Sequence, residues 1–140
     1  MGKNETEKAN DYRLGVDENQ IYAEVRVGTV GVASTRLDIA TYGDQSKTIA
    51  ESSIKNGNIP NIFIGKSANL RNCTLLVVSI IDFGNILPEN RPSAIKNIVV
   101  ICTLEGGLPG IKTFSYNSDD IDSSDDGKFF TISISVNLKE

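Results

Sequence analysis

The most regular pattern in the chain runs from residue 130 to residue 138, where every even position is apolar and every odd position is polar. The apolar residues are Phe130, Ile132, Ile134, Val136 and Leu138. Because successive side chains of a strand point to opposite faces, a period of two places all five on one face. This segment is therefore predicted to be an antiparallel strand with one buried and one wet face.

The same period of two occurs twice in the first third of the chain. Ile21, Ala23, Val25 and Val27 alternate with polar residues, and residues 37–41 repeat the pattern. These two strands are predicted to form a hairpin, with Gly28 and Gly31 marking a bulge or bend between them. Residues 46–54 are predicted to form a further strand, after a break at 42–44.

Two later segments, residues 75–81 and 98–102, are apolar at almost every position. Such strands are predicted to be buried on both faces, in the middle of a packed sheet. The second face would then be covered by a loop, by the N-terminal segment or by another subunit. The irregular segment between them contains Gly84, Pro88 and Pro92 and is long enough to cross between two sheets.

Turn signals separate seven or eight predicted strands. Asn56-Gly57 and the glycines at 106, 107 and 110 mark turns, and Pro60 restricts residues 59–64 to an edge strand. Nowhere does an amphipathic helix of three turns emerge. The pattern predicts an all-β fold, an antiparallel β-sandwich, with a closed β-barrel as the alternative. Residues 19–140 are predicted to form this single domain. The polar residues 1–18 are predicted to form a flexible arm, which is either a mobile tail or a strand added to a neighbouring subunit.

The amino-acid composition limits the classes of function that the chain can have. With 39% hydrophobic residues the chain should fold into a single core. It contains no apolar run long enough for a membrane span and no recognisable secretion signal, so we expect a cytoplasmic or intracellular protein. The absence of histidine rules out a Ser-His-Asp triad, a His-activated cysteine and imidazole metal ligands, and we predict that the protein is not an enzyme.

The formal charge of -4 is concentrated in one loop, because five of the 18 acidic residues lie between Asn117 and Asp126. Lysines and arginines are scattered through the rest of the chain without forming a stripe. Since nucleic-acid binding needs a positively charged face, no nucleic-acid partner is expected.

The aspartate-rich loop contains the only candidate metal ligands. Asp122, Ser124 and Asp126 followed by Gly127 match the start of a calcium-binding loop, and Asp119 and Asp120 could add oxygens. The twelfth position of that loop holds Ser133 in place of the usual carboxylate, so an EF-hand is excluded. We favour a solvated acidic turn, with no metal or other cofactor, and keep calcium as the alternative.

Cys73 and Cys102 each lie in or beside an apolar strand. They are predicted to be small buried hydrophobic residues. A disulfide between them is a second possibility, since it requires the two strands to be adjacent and in suitable register. We therefore expect a non-catalytic β-sandwich module that acts through contacts with a protein partner or with copies of itself. The alternative is a calcium-dependent module binding a membrane or a glycan, and a small enzyme ranks third.

Overall fold

The computed structural model describes residues 10–41, 46–53 and 55–140. Strands contain 60% of the residues and helices 12%, as expected for an all-β protein. The strands are β1 Asp11–Arg13, β2 Gln20–Gly28, β3 Val32–Thr41, β4 Lys47–Glu51, β5 Ile59–Lys66, β6 Cys73–Asp82, β7 Val99–Gly107, β8 Gly110–Ser115, β9 Ile121–Ser123 and β10 Phe129–Lys139. Two short helices, α1 Ser67–Leu70 and α2 Arg91–Lys96, lie between strands, with 3₁₀ turns at Pro88–Asn90 and Ser118–Asp120.

These strands form two sheets that pack face to face. The six-stranded sheet has the order β1-β10-β6-β3-β4, and β9 also pairs with β10. The four-stranded sheet has the order β5-β2-β7-β8. Both sheets have open ends in the described part of the chain, so the β-sandwich prediction is confirmed and the closed barrel is not found. The strand over residues 59–64 lies at a sheet edge, as Pro60 predicts.

The core lies between the sheets and follows the predicted parity. Ile132, Ile134 and Val136 are buried, whereas Thr131 and Ser133 on the opposite parity are half-buried. From β2, the predicted inward residues Ile21, Ala23 and Val25 are fully buried. A hydrogen-bonded hydroxyl pair also lies in this core, with 2.7 Å between Thr35 Oγ1 and Ser79 Oγ.

The N-terminal segment differs from the predicted arm. Residues 11–13 form β1, which pairs in parallel with residues 137–139 of β10, and the side chains of Tyr12 and Leu14 are fully buried. The flexible arm predicted over residues 1–18 is therefore wrong for residues 11–14, and the sandwich is not purely antiparallel. Residues 1–9, the predicted break at 42–44 and Ile54 lie outside the described residues.

The predicted hairpin between the first two long strands is also wrong. β2 belongs to the four-stranded sheet and β3 to the six-stranded sheet, so the turn between them crosses from one sheet to the other. Gly31 is needed at this crossing because a Cβ there would lie 2.6 Å from Phe83 Cδ1 and 2.7 Å from the Asp82 carbonyl oxygen. The glycine thus permits a change of sheet rather than a bulge within one strand.

The connection from β6 to β7 crosses between the sheets, as predicted. It is not irregular throughout, however, because it contains α2. Pro92 lies in the first turn of α2, where its missing N–H has no intrahelical partner to lose, and Ala94 packs into the core.

The prediction that β6 and β7 are buried on both faces is wrong for the chain by itself. Along β6, Leu75 and Val77 are fully buried, while Leu76 and Val78 are half-buried and Ile80 is exposed. Val99 of β7 is likewise exposed. Each strand therefore has one core face and one outer face with apolar side chains.

Candidate functional site

The aspartate-rich loop connects β8 to β10 and is divided among three local structures. Asp119 and Asp120 lie in the 3₁₀ turn, Asp122 lies in β9, and Ser124 and Asp126 lie in the tight turn before β10. β9 pairs with residues 130–132 of β10, which holds the loop against the edge of the six-stranded sheet.

Several of the loop's polar side chains bind backbone or neighbouring side chains. Ser124 Oγ donates to Asp126 Oδ1 at 2.6 Å, and Asp126 Oδ1 also accepts the Lys128 N–H at 3.1 Å. These bonds favour the ionised form, so they hold the pKa of the Asp126 carboxyl below its ordinary value. Similarly, Asp120 Oδ2 accepts the Asn117 N–H at 2.8 Å. These groups stabilise the turns of the loop itself.

The five candidate calcium ligands do not converge on one point: Ser124 contacts Asp126, whereas Asp119, Asp120 and Asp122 lie in other local structures. Nowhere in the described ranges do three or more acidic or cysteine side chains gather closely enough to hold a metal ion. A calcium ion needs six to eight oxygens converging on one point. As arranged here, the loop provides turn hydrogen bonds and an exposed negative charge.

The two cysteines are free and lie in different sheets, Cys73 in β6 and Cys102 in β7. Both are buried, as predicted, and no disulfide joins them. Burial raises the pKa of the Cys102 thiol to about 12. A thiol with so high a pKa is protonated at neutral pH and is therefore a poor nucleophile.

The outer face of the six-stranded sheet carries an apolar strip that runs along its central strand. It consists of Val32, Leu76, Val78, Ile80 and Phe129. Val32 and Phe129 lie directly opposite Asp82, one on each side, so they are diagonal neighbours of Ile80. Exposed fractions are 37% for Val32, 41% for Ile80 and 44% for Phe129. The strip is thus most exposed near the end of β6, where Val32 and Phe129 lie on either side of Asp82.

Small hydroxyl side chains border the strip on both sides. On β10, Thr131 and Ser133 lie opposite Ile80 and Val78, and on β3, Ser34 lies opposite Ile80. Because these neighbours are short, they leave the apolar side chains accessible. This combination of an apolar centre and a hydroxyl border resembles the centre and rim of a protein interface.

Of the charged residues beside the strip, Arg36 and Asp38 pair with each other, while Asp82, which lies between Val32 and Phe129, accepts the Gly84 N–H at 2.7 Å. Arg36 Nε donates to Asp38 Oδ2 at 3.0 Å, and Thr48 Oγ1 donates to Asp38 Oδ1 at 2.7 Å. Asp38 is buried, so both of its carboxylate oxygens have the partners that a buried charge needs. A flat molecule covering this part of the strip would meet no unpaired carboxylate at Asp38.

The outer face of the four-stranded sheet is more mixed. Tyr22 and Phe63 pack edge to face, with ring centroids 5.7 Å apart. Around them, Arg26 pairs with Glu24 at 3.4 Å, and Asn61 donates to Glu105 at 2.8 Å. These polar pairs interrupt the apolar surface, so the six-stranded sheet presents the more continuous apolar area.

The sequence indicated the centre of the strip but not its ends. Residues 75–81 are apolar on both parities, whereas Val32 and Phe129 lie outside the apolar runs used to predict buried strands. Phe129 shares its parity with Thr131 and Ser133, and Val32 shares its parity with Ser34 and Arg36. An apolar residue on the polar parity of a strand was the signal that could have identified both.

Comparison of the chain with models of protein families, with curated proteins and with solved structures finds no match. None of the helices in the described part of the chain has the length and apolar character that a membrane crossing requires.

Proposed function

We propose that this chain is a non-catalytic β-sandwich module that acts through protein-protein contacts, as a subunit or accessory piece of a larger assembly. The observation that carries the proposal is the exposed apolar strip on the outer face of the six-stranded sheet. Single exposed apolar residues are normal on a protein surface, but a contiguous row with a polar border is typical of a contact site.

The strip favours a protein partner because of its shape and chemistry. Its residues project from three adjacent, hydrogen-bonded strands, so they form a broad sheet surface and not a pocket. Burying apolar side chains there would release about 25 cal/mol per Å² of apolar surface. A second protein surface, either a different partner or another copy of this chain, can cover such a flat area.

Catalysis is the weaker alternative because the usual reactive groups are missing or inert. The chain has no histidine, and Cys102 is buried with a raised pKa. Tyr12 and Tyr116 also have pKa values raised by burial. None of these groups is poised to exchange a proton near neutral pH.

Site-specific photo-crosslinking in the native cell tests the proposal. A photo-reactive phenylalanine analogue is placed at position 129, in the strip, and in a second strain at position 111, on the other sheet. Ile111 is the matched control because it is 70% exposed and lies outside the strip. We expect a discrete cross-linked protein product from position 129 and not from position 111. The mass of the product distinguishes another protein from a second copy of this chain.

Substitution within the strip provides the second half of the test. Replacing both Ile80 and Phe129 by threonine keeps good strand propensity while removing apolar contact. With the photo-reactive analogue moved to position 78, this double variant is expected to lose most of the product, and Ile111→Thr is expected to retain it. Absence of a product from position 129, or equal products from positions 129 and 111, would contradict the proposal.

A further inference from the structure

A carboxylate lies among the most exposed residues of the apolar strip. Asp82, the last residue of β6, is paired across strands with Phe129 on one side and with Val32 on the other. Ile81 is fully buried, so the alternation of the strand directs its neighbours Ile80 and Asp82 to the outer face. A molecule that covers this end of the strip therefore also covers Asp82.

Asp82 holds the turn that follows β6 through one of its oxygens. Its Oδ1 accepts the Gly84 N–H at 2.7 Å, and a Cβ at residue 84 would lie only 2.9 Å from this oxygen. Gly84 thus leaves room for the carboxylate. In the described part of the chain, no lysine or arginine lies within ion-pair distance of Asp82.

Covering this carboxylate without pairing it would oppose binding. An isolated carboxylate loses strong hydration when it is buried, and buried charges in proteins are therefore found paired and hydrogen-bonded. A partner that uses the apolar strip must then bring a cation to Asp82. Arginine and lysine both fit, because each carries its charge on an apolar stem that can pack against the neighbouring side chains.

A second carboxylate adds negative charge on the β9 side of the strip. Asp122 of β9 is paired across strands with Thr131, which is itself paired with Ile80. The neighbouring Ile121 packs against the core, so Asp122 is exposed on the outer face. The two carboxylates on this side favour a positively charged partner surface.

Basic residues that adjoin the strip have acidic neighbours of their own. Arg36, across from Val78, is bonded to Asp38 and lies opposite Glu51. The charge of Lys128, beside Phe129, acts on Asp126. Two copies meeting strip to strip would therefore bring an Asp82 each to the contact without a spare cation from Arg36 or Lys128. The charge pattern favours a different protein over a second copy.

We propose that Asp82 is the charged anchor of the apolar strip and binds an arginine or lysine that a different protein presents among apolar side chains. This inference rests on the proposed function of the strip and adds the chemistry of the partner. Carboxylates at this contact would repel a nucleic acid or an anionic membrane surface.

A charge-neutral variant at position 82 tests the inference. The full chain, with the photo-reactive phenylalanine analogue at position 129, is added at increasing concentration to an extract of the native cell. The concentration that gives half of the maximal cross-linked product is then measured. Asp82→Asn keeps an oxygen acceptor for the Gly84 N–H while removing the charge. Glu89→Gln is the matched control, because Glu89 is exposed in a 3₁₀ turn outside the strip.

We expect the half-maximal concentration to rise at least about tenfold in Asp82→Asn and to stay unchanged in Glu89→Gln, because removing one member of a buried charge pair leaves the other unpaired. Mass spectrometry of the cross-linked peptide should place an arginine or lysine beside the cross-linked residue. Exchanging the charges, with aspartate at that partner position and Asp82→Lys in this chain, should restore a product that either change alone removes.

The outcomes separate this inference from the proposed function. Equal half-maximal concentrations for the wild type and Asp82→Asn would overturn the inference and leave the proposed function standing. A product that proves to be a second copy of this chain, or a charge exchange that restores nothing, would also overturn it. Absence of any product from position 129 would contradict the proposed function itself, and this inference with it.

Discussion

Replacing Tyr12 by phenylalanine removes one hydroxyl group that ties the first strand to the opposite sheet. Tyr12 Oη donates to the Gly110 carbonyl oxygen at 2.5 Å and accepts the Gly107 N–H at 2.9 Å. Both glycines belong to the β7-β8 hairpin, and a Cβ at Gly107 would lie 2.6 Å from Tyr12 Cε2. The tyrosine therefore fits a space that exists only because residue 107 is glycine.

The cost of this substitution follows from what each partner does afterwards. The ring stays in place against Phe114, at a centroid distance of 6.4 Å, so apolar burial is unchanged. The Gly107 N–H is left without its partner, whereas Gly110 is exposed and its carbonyl can bind water. Loss of the hydrogen bond to the Gly107 N–H, together with the exchange of the Gly110 hydrogen bond for one to water, is expected to lower the free energy of unfolding by about 1–2 kcal/mol. For a chain of this length that is a decrease in Tm of about 3–8 °C.

Thermal and urea unfolding of Tyr12→Phe test this estimate against Tyr22→Phe. The Tyr22 hydroxyl donates to Gln20 Oε1 at 3.1 Å in an exposed position, so its removal should cost less than about 0.5 kcal/mol. If the two variants lose the same stability, the Tyr12 hydroxyl does not link β1 to the hairpin. The stabilising role derived for these two hydrogen bonds would then be refuted.

Three further predictions follow from named groups. Burial raises the pKa of Tyr12 above its ordinary value of 10.0. The difference in unfolding free energy between the wild type and Tyr12→Phe should therefore be largest below pH 10 and decrease as the pH rises through the raised pKa. Urea unfolding across that pH range measures this difference. Ile132→Ala should cost about 2–5 kcal/mol in urea unfolding and Ser133→Ala little, and equal losses would reverse the assigned faces. In calorimetry at fixed ionic strength, calcium should show no micromolar binding, and such binding would contradict our interpretation of the aspartate-rich loop.

Local periodicity identified the long strands, because a period of two directly encodes which side chains face the core. Residues 130–138 and 21–27 were predicted from this signal alone. The signal is weaker in short elements. Tyr12 and Leu14 alternate with Arg13, but a strand of three residues carries too few positions to distinguish it from a polar tail.

Strand pairing, in contrast, was beyond local patterns. A hairpin and a crossing between sheets are both compatible with a turn that contains glycines, and only the pairing of β2 and β3 with strands distant in the sequence distinguishes them. For the same reason, local patterns predicted only part of the apolar strip. Its centre is a run within one strand, while its ends, Val32 and Phe129, are brought together by pairing across three strands.

The position of β10 within the six-stranded sheet also sets the order in which the protein can be assembled during synthesis. The four-stranded sheet is complete once Ser115 has left the ribosome. β10, the last of the described strands to be made, lies between β6 on one side and β1 and β9 on the other. Until it emerges, the early strand β1 has no pairing partner among the described strands, and one edge of β6 stays open. Nascent chains that stall before residue 129 would therefore expose this edge and the buried face of the first sheet, a state prone to aggregation.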